Sequence, residues 1–207
     1  MKIKLSLALL MTLSALAWVA APSVAQAQET KAYGTGVGAE FKAFEVPTAV
    51  VSEGTTPFVL EEAKGEQIEC QSLADEGTME NREGVGHSEL TLHFDSCALK
   101  KGPLAGCPVS TAGAGAAEIV GTVDDEVIKE TEVEITVTGG FALETEPPCP
   151  SIALGKVTGK AVGHVAKGSN ELKFAKATGL FLGEEPATIT GTDATTEEET
   201  GAAVLIN

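Results

Sequence analysis

The stretch ETEVEITVT, residues 130 to 138, sets the reading of the whole chain. Val133, Ile135 and Val137 fall on one side of an extended backbone. Glu132, Glu134, Thr136 and Thr138 fall on the other. Side chains of a strand alternate between two faces, so this period of two predicts a strand with one face on a core and one in water. Strands of that kind belong to antiparallel sheets covered from one side.

The same alternation recurs in both directions. In GKVTGKAVGHVAK (155–167), Val157, Ala161 and Val165 share a face with Gly159 and Gly163, opposite Lys156, Thr158, Lys160 and His164. TPFVLEE (56–62) puts Phe58 and Leu60 together, and EQIECQSL (66–73) does the same for Ile68, Cys70 and Ser72. Further strands are expected around 117–123, 171–175, 187–192 and 202–206. Gly54-Thr55, Gly139-Gly140 and Gly168-Ser169-Asn170 read as turns between strands. No run beyond the first 27 residues has the three-to-four spacing of a helix. The fold class expected is all-β, an antiparallel β-sandwich, with a β-barrel or two small β lobes as alternatives and helix only in the signal peptide.

Lys2 and Lys4, the apolar run Leu5 to Ala21, Pro22 and the A-x-A pattern Ala25-Gln26-Ala27 have the layout of a secretory signal peptide. The apolar run is short for a membrane span, and no cysteine near the cleavage site offers a lipid anchor. The expected organisation is therefore a signal peptide over 1–27, a flexible glycine-rich leader over 28–39 and a β-sandwich domain over 40–207. The protein is expected to be secreted, with no membrane span after cleavage. Ser110 to Ala117, STAGAGAA, reads as a small-residue linker that would separate two lobes. Asp193 to Gly201, DATTEEETG, reads as an acidic loop before a last strand.

Charge and composition exclude some functions. The chain has 30 acidic and 14 basic residues. Removing Lys2 and Lys4 with the signal peptide takes the net charge from −16 to −18. Such a surface repels nucleic acid and anionic lipid. The single tryptophan, Trp18, leaves with the signal peptide, and Tyr33 is the single tyrosine. Sugar clefts and single-strand nucleic-acid platforms rely on flat aromatic faces that this chain lacks.

Cys70, Cys97, Cys107 and Cys149 all survive cleavage. An even count in an exported chain predicts two disulfides. Three pairings are open. Cys70–Cys97 with Cys107–Cys149 is favoured, because each closes a loop of moderate length without threading the other. None of the cysteines sits at the close spacing of a zinc pair.

HSELTLHFDSC (87–97) comes nearest to a chemical motif. Leu90, Leu92 and Phe94 alternate onto a core face. His93 and Asp95 project together from the other, with Cα atoms about 7 Å apart by strand rise. They would bind a metal only if a neighbouring strand added a third ligand; a solvent-facing row is the simpler reading. Gly86-His87-Ser88 begins like a nucleophile elbow, but Leu90 occupies the second glycine position and a strand follows in place of a helix. GTGVG (34–38) lacks the strand before it and the lysine after it that a phosphate loop needs. Asp124-Asp125-Glu126 and Glu197-Glu198-Glu199 lack a D-x-D-x-D-G calcium loop, and consecutive acids on a strand point in different directions. They read as solvated charge.

FKAFEVPTAVVSEGT (41–55), GEQIECQS (65–72), SELTLHFDSC (88–97) and GSNELKFAKATG (168–179), behind a signal peptide, together resemble a group of exported, disulfide-containing β-rich proteins of soil actinobacteria. That resemblance implies a secreted, disulfide-bonded β domain and carries no activity or catalytic residue. The function expected is a non-enzymatic binding, envelope-associated or structural module. Its partner would be a protein or cell-envelope ligand, without nucleic acid, cofactor or metal. The alternatives are a hydrolase with a site assembled across strands and a weak calcium-dependent adhesion-like module.

Overall fold

The computed structural model describes residues 32–36, 40–113 and 117–207. The expected signal peptide lies outside them. Fifteen strands and no helix form the described chain. β1 (Tyr33–Thr35) and β2 (Lys42–Ala43) come first. β3 (Thr48–Glu62) is one long stave. Four further staves are each made of two strands separated by a kink or loop: β4 (Gln67–Cys70) with β5 (Ser72–Arg82), β6 (Val85–Asp95) with β7 (Ala98–Lys101), β8 (Val109–Thr111) with β9 (Ile119–Lys129), and β10 (Glu132–Thr138) with β11 (Phe141–Thr145). β12 (Ala153–Val165), β13 (Glu171–Leu182) and β14 (Glu185–Glu197) are again single staves, and β15 (Leu205–Ile206) is the last strand.

Each stave pairs antiparallel with the one before and after it in sequence. The upper tier runs β3-β5-β6-β9-β10-β12-β13-β14, and β14 returns to β3. The lower tier runs from β3 through β4 and β7 to the start of the β8 stave, then through β11 to β12. There the Leu99 N–H donates to Cys107 O at 2.9 Å and the Val109 N–H to Cys97 O at 3.0 Å, and Ala98 bridges Pro108. The sheet thus closes into an eight-strand barrel, the alternative to the sandwich, and closure leaves it no free edge. One barrel also replaces the idea of two lobes. Ser110 and Thr111, assigned to a linker, belong to β8, where Ser110 is fully buried and donates to Glu146 Oε1 at 2.7 Å.

Alternation decides what enters the barrel. Along β9, Ile119, Val123 and Val127 are buried while Thr122, Asp124 and Glu126 face out. Along β12, Val157, Ala161, Gly163 and Val165 are buried, as their shared face requires. Small barrels mix small and large interior residues to fill the taper. Here inward glycines seat rings: a Cβ on Gly191 would run into the Phe58 ring, and one on Gly86 would lie 2.7 Å from the Tyr33 ring. Gly54-Thr55, read as a turn, lies inside β3, where the register with β14 shifts. Gly139 and Gly140 both take positive φ and mark the step from β10 to β11.

Two apolar clusters fill the interior. The lower one gathers Phe58, Phe94, Phe174, Leu99 and Leu143, among others, with Cys70, Cys97 and Cys107. Both disulfides sit at this end, Cys70–Cys97 and Cys107–Cys149. The upper cluster gathers Val50, Met79, Leu90, Val127 and Val133 with Tyr33, Val204 and Ile206. Tyr33 and Ile206 come from a three-stranded sheet, β15-β1-β2, that covers the upper mouth. Tyr33, placed in a mobile leader by sequence, is instead buried in β1 and paired with Ile206. Asn81 of β5 clamps it: the Tyr33 N–H donates to Asn81 Oδ1 at 2.8 Å, and Asn81 Nδ2 donates to Tyr33 O and Phe44 O, both at 2.9 Å.

Candidate functional site

Inside the barrel, the strongest departure from apolar packing is a set of three aspartates. Asp75 lies on β5, in register with Ser52 of β3. Asp125 lies on β9, in register with Ser88 of β6. Asp193 lies on β14, in register with Gly54 and Leu172. Their exposures are 5%, 4% and 6%. Alternation places them there. Asp75 shares its face with Leu73 and Met79, Asp125 with Val123 and Val127, and Asp193 with Ala187 and Thr195; all of these are buried.

The polar partners inside are few. Ser88 Oγ donates to Asp125 Oδ2 at 2.8 Å. Ser52 Oγ and Thr195 Oγ1 share a hydrogen bond of 2.9 Å. The Oδ1 atom of each aspartate is buried with no hydrogen-bond partner. Buried polar atoms are nearly always paired, so three orphaned oxygens in one interior need a cause. The three carboxyls line a cavity of about 120 Å³, together with apolar side chains of both clusters and with Tyr33, Asn170 and Thr195.

The electrostatics follow from burial. Burial pushes the Asp75 carboxyl up to about 6, with Ser52 opposing the rise. Burial lifts Asp125 to about 7 against the bond from Ser88, and the Asp75 charge adds to the rise. Asp193 is raised well above the ordinary carboxylate range by burial and by the other two aspartates. The Tyr33 phenol is raised by burial and by Asp125 and Asp193. Near neutral pH the cluster therefore retains protons, and any added positive charge would displace them.

Sequence reasoning reached part of this. It treated Asp124-Asp125-Glu126 as one solvated run while noting that consecutive acids point apart. The structure sends Asp124 and Glu126 outward and Asp125 inward. It placed Asp193 in an acidic loop, but that residue and the next four belong to β14, which continues to Glu197. Asp75 was not singled out. The available signal was an acid at the inward phase of alternating SLADEGTM (72–79), between Leu73 and Met79.

HSELTLHFDSC behaves as an ordinary stave. Ser88, Leu90 and Phe94 are buried, Leu92 is half-buried, and Asp95 is exposed. The residue just before β9 does offer His93 a carboxylate: His93 Nδ1 lies 2.9 Å from Glu118 Oε1 on the outer face. Among the described residues no group of three or more histidine, cysteine, aspartate or glutamate side chains is arranged to hold a metal. His87 and His164 also lie on outer positions, half-buried and exposed. Ser88, rejected as an elbow nucleophile, is a hydrogen-bond donor to Asp125, and no histidine lines the cavity beside it.

No protein-family model, curated protein or solved structure matches the chain. Two disulfides are consistent with an extracellular protein. Among the described residues no helix is long and apolar enough to cross a membrane.

Proposed function

We propose that this is a secreted, non-enzymatic binding module that encloses a small guest in its barrel. One observation carries the reading: three buried carboxyls, each with an unpartnered oxygen, line the same interior cavity. Leaving such atoms unpaired costs about 1–3 kcal/mol each, so they are not there for stability. Small-molecule sites are mostly apolar with a few convergent polar groups, which is the composition of this interior. Barrel closure shields it from water, and β1 and β15 cover the mouth nearest the carboxyls.

A hydrolase assembled across strands finds less support. The serine beside a carboxylate, Ser88, has no imidazole next to it, and a cavity of about 120 Å³ is too small for a sugar or peptide segment. A calcium-dependent adhesion module would need Asp124 and Asp125 on one face, and they point to opposite ones.

The reading is tested by nuclear magnetic resonance titration of the purified, disulfide-intact protein with guests of four to six heavy atoms. Methyl resonances of Leu90, Val123 and Val133 are expected to shift. Shifts confined to the outer face, or none, would overturn the reading. Secretion is tested separately by N-terminal sequencing of exported protein, expected to begin at Gln28.

A further inference from the structure

The interior says more about its guest than size. Among the described residues, the ionisable side chains lining the cavity are Asp75, Asp125, Asp193 and Tyr33; no lysine, arginine or histidine is present to balance them. The three Oδ1 atoms are acceptors without donors. A hydroxyl guest brings one donor and no charge. A primary ammonium brings three donors and one positive charge. Resting on the binding reading above, we propose that the guest is a small organic ammonium ion, a primary amine on a short apolar body, with its nitrogen among Asp75, Asp125 and Asp193 and its carbons along Leu90, Val123 and Val133.

Three observations narrow the class. A bare divalent cation needs oxygens converging to about 2.0–2.6 Å. Among the described residues no such group exists, whereas N–H donors accept a wider cage at about 2.7–2.9 Å. Quaternary ammonium groups are recognised by several aromatic faces, whereas the upper apolar cluster holds one buried aromatic ring, Tyr33. The volume sets the body: a dry cavity of roughly 150 Å³ admits benzene. The 120 Å³ here suits an amine of that size or smaller.

Binding is coupled to protons. Facing the site are Tyr33 from β1, Asp75 from β5, Asp125 from β9 and Asp193 from β14, with the hydroxyls of Ser52, Ser88 and Thr195. β10, β12 and β13 contribute apolar side chains, Val133, Val165 and Leu172 among them. His93 acts on Asp75 from the outer face of β6. An ammonium that enters stabilises an ionised carboxylate, and the carboxyl proton leaves for solvent. Affinity therefore rises with pH through the range where the free carboxyls hold their protons.

The experiment compares n-butylamine with its neutral isosteres 1-butanol and n-pentane by calorimetry on the full disulfide-bonded protein, at pH 8, 7, 6 and 5. The expected result is that butylamine binds best and releases about one proton per molecule bound. Its affinity should fall as pH drops from 7 to 5, steepening toward tenfold per unit below about pH 6. Asp193→Asn should weaken it at least tenfold, while His164→Ala, exposed on the outer face of β12, should leave it unchanged. Equal binding of all three probes without pH dependence would overturn the ammonium assignment and leave the enclosed-guest reading standing. No binding by any of them to folded protein would overturn both. If Asp193→Asn does not fold, the pH series on the unaltered protein decides.

Discussion

At the lower end of the barrel, the Phe58 ring meets Phe94 edge-on at 5.4 Å and lies 6.4 Å from Phe174. Two disulfides tie the kinked staves together around them. Toward the upper end, the same alternation of strand positions turns three carboxyls into the interior and leaves an oxygen on each without a partner. The lower half spends its interior on packing. The upper half gives some of that up and is covered by three short strands rather than by a cross-link. One barrel is thus stapled at one end and polar at the other, and the proposed guest site falls at the end without the staples.

That contrast can be broken most severely from below. Reducing both disulfides should remove about 3–4 kcal/mol for each closed loop, read as a fall in denaturation midpoint with reductant present. Phe58→Ala, which empties the seat over Gly191, should cost about 3–5 kcal/mol in the same assay. A comparable truncation in the upper cluster should cost less.

The carboxyl layer should respond to pH in the reverse of the usual acid behaviour. Folding raises Asp75 and Asp125 from 3.8 to about 6 and about 7, and also raises Asp193 well above its ordinary range. The folded state thus holds protons that the unfolded chain has already lost. Below about pH 4 both states are protonated and there is no penalty. As pH climbs from there to about 7 the penalty develops, so stability should fall over that window by a few kcal/mol. Asp125→Asn should raise stability by about 1–3 kcal/mol at pH 8 and change little at pH 4.5, measured by denaturant titration at the two pH values. An equal loss at both pH values would show that the carboxyl itself stabilises the upper half.

Smaller effects should mark the cover and the outer face. Gly86→Ala drives a methyl group into the Tyr33 ring and should cost about 1–3 kcal/mol, with β1 exchanging its amide hydrogens faster. His93→Ala removes a half-buried contact with Glu118 on the outer face and should change stability by less than about 1 kcal/mol.

Much of this molecule was legible in the sequence, and the gaps have physical causes. Period-two alternation marks the staves because burial on one face is a local property. It located the inward faces of β6, β10 and β12, and loop length pointed to the bridges found. Barrel closure was not local: it depends on β14 meeting β3, whose residues are more than a hundred positions apart. Alternation is the same whether the sheet closes or folds over on itself. The carboxyl layer was hidden for another reason. Asp125 sits in a run of three acids and Asp193 stands just before another, and clustered charge reads as solvated unless each residue is assigned its own face. Tyr33 was missed because YGTG looks like a loop, and only its pairing with Ile206 makes it a strand.

The β3–β14 seam has a consequence for how the chain reaches this state. Every other join in the ring links neighbouring staves and can form as a local hairpin. The seam alone waits for the two ends of the ring to meet, and loop-closure entropy makes that meeting the slow step. Until it forms, the nascent sheet presents two long open edges, one ending in TPFVLEE and the other running through ATIT. Those edges can pair with another copy as readily as with each other. Substitutions in the seam should therefore slow refolding and raise its dependence on protein concentration, while substitutions in the carboxyl layer act on the finished barrel.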